Sequence, residues 1–122
     1  MNKNIFGEAL ITCSKEPLTG YFRNGCCDTD DSDYGMHTVC VVATKEFLEF
    51  SKAVGNDLST PIPEYGFQGI SPGDKWCLCA LRWKEAFENG CAPKVVLEAT
   101  NEKTLDVISM DHLIKHALKQ DL

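Results

Sequence analysis

The stretch TVCVVATKEFLEFSKAVGN, residues 38–56, decides the fold class. Its first six residues, Thr38 to Ala43, are rich in β-branched side chains and too few for a helix, so they read as a buried strand. Thr44 follows as an N-cap, whose side-chain oxygen can accept an otherwise unpaired amide of a first helical turn. Phe47, Phe50 and Val54 then recur at helical spacing until Gly55 and Asn56 end the helix.

The same strand-then-helix grammar returns downstream. Ser71 to Asp74 reads as a turn, with Pro72 and Gly73 suited to the two centres of type II. Trp76 to Cys79 is expected to be a strand running directly into a helix from Ala80 to Asn89, with Ala80, Trp83 and Phe87 on one face. Gly90 and Pro93 stop it. Val95–Thr100 and Thr104–Ile108 are β-rich runs flanking Asn101, Glu102 and Lys103, and a hairpin is expected there. Ser109 caps a last helix, where Met110, Leu113, Ile114, Ala117 and Leu118 form a full apolar stripe.

The resulting order, β-α-β-α-β-β-α, predicts an α+β two-layer sandwich with a short mixed sheet and three helices. All 122 residues fit one domain, with no repeat or linker. Two long ordered loops, residues 1–36 and 57–75, remain. Connections of that length are usually functional or disordered. These carry Leu18, Tyr21, Phe22, Tyr65, Phe67 and Ile70, which either wall a pocket or cover a small core.

A net charge of −6 opposes binding to phosphate backbones, so nucleic acid is not expected as a partner. No apolar run approaches the roughly 18 residues needed to cross a bilayer, and the N-terminal residues lack the apolar core of a signal peptide. A cytoplasmic location without membrane association is therefore expected. In that compartment the seven cysteines would be reduced, acting as core residues, metal ligands or reactive thiols.

Cys26 and Cys27 follow Arg23 in a turn-rich segment, where a guanidinium could stabilise a thiolate. Cys77 and Cys79 stand two apart on a strand and face one side, with Trp76 and Leu78 on the other. By the same alternation His37 and Cys40 face opposite sides, so His37 would need a cysteine from elsewhere to form a thiolate–imidazole pair. The candidate site is thus a pocket lined by Arg23, Cys26, Cys27, His37, Cys77 and Cys79. No cofactor is required by it. The alternative is a zinc site from Cys13, Cys26, Cys77 and Cys79, although the chain has no CxxC.

His112 and His116 have metal-pair spacing but lack the HExxH glutamate, and read as solvated. The run Asp28–Asp33 matches no register of a calcium loop and reads as a solvated loop. Nucleotide-loop and serine-hydrolase signatures are missing.

The segments PLTGYFRNGCC (17–27), HTVC (37–40), EFLEFSKAVGNDLSTP (46–61), PGDKWCLCALRWKEA (72–86) and VVLEAT (95–100) resemble an uncharacterised bacterial family, DUF2237, over nearly the full length. The resemblance implies a small α+β fold and brings no activity, cofactor or catalytic residue with it. It also implies that Cys13, Cys26, Cys27, Cys40, Cys77 and Cys79 are family positions, whereas Cys91 departs from the pattern. Function stays open between thiol-dependent redox or small-ligand chemistry in the pocket, a non-catalytic module for a protein partner, and a structural zinc protein.

Overall fold

A computed structural model of the chain describes residues 2–118. Its centre is β1 (His37–Val42), flanked by β2 (Lys75–Cys79) and β3 (Lys94–Val95) in an antiparallel sheet of order β2-β1-β3. A single parallel bridge from Val95 to Ala117 extends the β3 edge. Alternation along the strands sends Val39, Val41, Trp76 and Leu78 to one face and Cys40 and Cys77 to the other.

The first face is covered by helices α1 (Lys45–Ala53) and α2 (Ala80–Glu88), which bury Phe47, Leu48, Ala80, Trp83 and Ala86 against it. Thr44 caps α1 as its chemistry requires, its hydroxyl accepting the Phe47 amide at 3.1 Å. At the other end the buried Ser51 hydroxyl donates to the Asn56 carbonyl at 2.6 Å and ties the helix to the loop that follows. Ser51→Ala is expected to cost about 1 kcal/mol by leaving that carbonyl short of a partner. Calorimetry should show a melting temperature lower by about 4 °C.

Three expectations fail in the C-terminal third. The hairpin is absent: after two residues of β3 the chain turns through short 3-10 helices at Leu97–Ala99 and Glu102–Asp106. Side chains have displaced the ladder here. The Thr100 hydroxyl accepts the Cys40 amide at 3.2 Å and donates to the Val96 carbonyl at 2.9 Å, while the Asn101 side chain caps the second 3-10 helix.

The last helix, α3 (Met110–Lys115), is also shorter than its stripe predicts. His116 and Leu118 leave the helix to hydrogen-bond Val95, and Ile114 and Leu118 are exposed. The histidines expected in solvent instead pack inward. His112 stacks on Phe87 with ring centroids 4.2 Å apart, and His116 meets Trp83 edge-on at 5.4 Å. Flat rings fit between aromatic neighbours here, while of the aliphatic stripe Leu113 stays buried and Met110 packs against the core.

Candidate functional site

Among the described residues no α-helix covers the second face of the sheet, which the 3-10 helices at Leu97–Ala99 and Glu102–Asp106 touch through Ala99 and Thr104. Residues 2–36, almost without regular structure, fold across that face and are joined to it by two disulfides, Cys13–Cys40 and Cys27–Cys77, with Cα separations of 5.7 and 5.3 Å. Four of the seven cysteines are thereby paired, contrary to the expectation that all are reduced; Cys26, Cys79 and Cys91 are free. The four paired residues are buried together, with Ala99 the other member of the cluster. Thr19 adds a polar tie, its buried hydroxyl accepting the Cys77 amide at 2.8 Å. Gly20 beside it has φ +100°, and a Cβ there would collide with the Cys26 carbonyl, so the turn closes only over glycine.

Between this loop, residues 56–58 and the start of α2 lies a cavity of about 370 Å³. Tyr21, Arg23, His37, Trp76, Cys77, Cys79 and Arg82 are among its walls, and no carboxylate is. Arg23 lies over the Trp76 ring, 5.3 Å from its centroid. Arg82 is steadied by the Val54 carbonyl at 3.4 Å and by Glu85 at 3.3 Å. Two guanidinium groups, one of them paired with Glu85, thus stand beside an aromatic wall and offer fork-shaped donors to an anion.

The cavity brings His37 and Cys79 to the same border. They are register partners across β1 and β2, and directly opposed residues hold their Cβ atoms about 5 Å apart. Regular alternation would not have done this. The register slips by one between His37 and Val39, where the Thr38 amide turns back to the Met36 carbonyl and Thr38 has no partner on β2, while its hydroxyl accepts from Thr104. Such a bulge re-aims the side chain before it.

Asp33 fixes the imidazole. Its carboxylate, fully buried while the His37 side chain is 42% exposed, receives His37 Nδ1 at 2.7 Å, the His37 amide at 2.9 Å and the Thr29 hydroxyl at 3.0 Å. A carboxylate only accepts, so Nδ1 carries the proton and Nε2 is left basic. Tyr21 stacks near the ring, centroids 6.1 Å apart, and Gly35 lies against it: a Cβ on Gly35 would come within 2.7 Å of Cε1. Cys79 is the N-cap residue of α2, the positive end of a helix dipole.

Of the candidate residues, Arg23, His37, Cys77 and Cys79 border this cavity. Cys27 lies behind Cys77, bonded to it, and Cys26 points elsewhere, with Sγ 3.9 Å from the Thr12 hydroxyl. Among the four alternative zinc ligands, Cys13 and Cys77 share the buried cluster, whereas Cys26 and Cys79 lie outside it. Asp33 and Arg82 were not anticipated. Arg82 could have been found, being three residues beyond Cys79 on the first turn of a helix, where side chains share a face. Nothing in the sequence separates Asp33 from the exposed aspartates around it.

The free thiols are not equivalent. Burial, and then the Glu46 carboxylate, push the Cys91 thiol above its usual range, and its Sγ is 3.7 Å from the Ala86 carbonyl. Cys91 is therefore expected to be alkylated more slowly than Cys26 at neutral pH, as peptide-resolved mass spectrometry would show.

A small α+β domain with one sheet face helix-covered and the other cysteine-stapled, and with an arginine-lined cavity at its edge, is the class that these features define. The family model described as an uncharacterized protein conserved in bacteria, DUF2237, matches residues 3–117, and the chain belongs to that family. No functionally curated protein matches it. Among the described residues, no helix is long and apolar enough to cross a membrane.

Proposed function

We propose that this protein performs thiol-dependent chemistry on a small anionic molecule, with Cys79 as nucleophile. The observation that carries the reading is the Cys79–His37–Asp33 arrangement, in which Cys79 and His37 are register partners across the sheet and the imidazole Nδ1 is held by a buried carboxylate. His37 Nε2 takes the proton from Cys79 Sγ as a bond forms from sulfur to an electrophilic centre of the substrate. The departing group then takes that proton from His37. Arg23 and Arg82 hold the anionic end, and Asp33 steadies the transient imidazolium.

The test compares iodoacetate, a small anion, with uncharged iodoacetamide, reading each cysteine by mass spectrometry. The ratio of the two alkylation rates is expected to be at least about tenfold higher at Cys79 than at Cys26. Arg82→Gln should remove most of that preference. Equal ratios at the two cysteines would end this reading.

A second reading, a non-catalytic module for a protein partner, has its own support in exposed Leu18, Tyr21 and Phe22, the last two in edge contact at 5.0 Å. The alkylation ratios separate the two, because an interaction module has no reason to favour the anion at Cys79.

A further inference from the structure

Two disulfides can staple a loop without touching each other, yet here the two pairs are joined into one sulfur cluster. The Sγ atoms of Cys13, Cys27 and Cys77 all lie within 4.8 Å of one another although Cys13 belongs to one pair and Cys27 and Cys77 to the other. Cys40, bonded to Cys13, brings the fourth sulfur. The four come from four separate segments, two in the N-terminal loop and one on each of the strands β1 and β2, and every one is buried.

From this convergence we propose that the reduced protein binds one tetrahedral zinc ion through Cys13, Cys27, Cys40 and Cys77. A zinc–thiolate bond of about 2.3 Å sets the sulfurs of a tetrahedral site about 3.8 Å apart. Three of the sulfurs are already within 4.8 Å of one another, and the fourth, on Cys40, is bonded to Cys13 and stands opposite Cys77 in the sheet register. Opening the S–S bonds therefore asks for side-chain rotation and leaves the backbone in place. The site is closed, as structural zinc sites are, with no cavity wall among its ligands except Cys77. Its ligand set replaces Cys26 and Cys79, which lie outside the cluster, by Cys27 and Cys40.

The interconversion balances. Two equivalents of a dithiol reductant transfer four electrons and four protons to the two disulfides, giving four thiols and two oxidised dithiols. Zinc(II) then takes four thiolates and releases four protons, with no change in its oxidation state. The same loop is thus held on the same face by disulfides when oxidised and by metal when reduced.

The experiment reduces the wild-type protein with a phosphine, removes the reductant under argon, and adds zinc(II) or cobalt(II) alone. One ion per chain by elemental mass spectrometry is expected, with the cobalt form showing the charge-transfer and visible absorption of a tetrahedral four-thiolate site. N-ethylmaleimide should then label Cys26 while sparing the four ligands. If reduction unfolds the chain, zinc should restore its circular dichroism, and failure to do so overturns the proposal. So does a folded reduced protein that stays metal-free, or a cobalt spectrum with fewer than three sulfur ligands. Cys26→Ser and Cys91→Ser must leave the stoichiometry unchanged; a loss in either overturns the ligand set.

Discussion

Alanine at Cys13, Cys27, Cys40 and Cys77 together is expected to destabilise the protein by about 5–7 kcal/mol and to loosen its N-terminal loop around Lys15 and Arg23. The pairs are 27 and 50 residues apart, which corresponds to about 3.5 and 4 kcal/mol of loop-closure entropy. Residues 27–40 belong to both loops, so the two contributions overlap and their sum is an upper bound. Domains of this size are stable by roughly 5–15 kcal/mol in total, and the loss is comparable.

Backbone hydrogen bonds from Ile5 to Thr100, Ile11 to Glu98 and Glu102 to Lys3, with Ile5 buried in the core, hold residues 3–11 independently, so the stretch that depends on the cross-links is the one around Lys15 and Arg23. Thr19 on Cys77 and the Asn101 amide, which donates to the Cys27 carbonyl at 3.1 Å, are single hydrogen bonds, each contributing about 1 kcal/mol. The helix-covered face keeps its own apolar core, so loss of the loop should precede global unfolding. Trypsin should cut the variant at Lys15 and Arg23 at temperatures where the parent is resistant. A variant that melts within a few degrees of the parent, with Arg23 still protected, would show that packing alone holds the loop.

The parts of the fold that could be read in the sequence are those whose signals are local. Thr44 before Phe47, and Pro72-Gly73 before Trp76, announce their elements within a few residues, and β1, α1, β2 and α2 lie within one or two residues of the expected bounds. The run from Val95 to Ile108 misleads because its threonines and Asn101 satisfy backbone groups with side chains, a choice that β-propensity does not register. Cysteine pairing is longer in range still. Seven cysteines allow many pairings, and only the fold of the N-terminal loop selects two.

The site divides in the same way. Cys77 and Cys79 declare a shared side by their spacing, but the bulge at Thr38 that makes His37 the register partner of Cys79 is a one-residue irregularity that strand alternation does not register. Alternation alone sends His37 the wrong way. Asp33 is hidden by company: Asp30 and Asp31 beside it are exposed, and only the folded chain buries one carboxylate of the run.

That buried carboxylate leads to the second large effect. Asp33→Asn is expected to lower the iodoacetate rate at Cys79 by at least about tenfold while the domain stays folded. The amide oxygen can keep the position that accepts from the His37 amide and the Thr29 hydroxyl, since two donors there leave no place for an NH₂ group. The NH₂ must then face Nδ1, which has to accept, and the ring proton moves to Nε2. Nε2, the nitrogen proposed to take the Cys79 proton, becomes a donor and can no longer accept it; in serine proteases the corresponding change lowers turnover by about ten-thousandfold.

Gly35→Ala gives the complementary result. It retains the carboxylate but pushes on the ring at Cε1, so the rate falls through displacement without a change of tautomer. Thr29→Val removes only the third hydrogen bond, and its rate should remain within about threefold of the parent. If Asp33→Asn and Thr29→Val behaved alike, with Cys79 as reactive as in the parent, His37 would be a packed side chain beside a thiol and not its base.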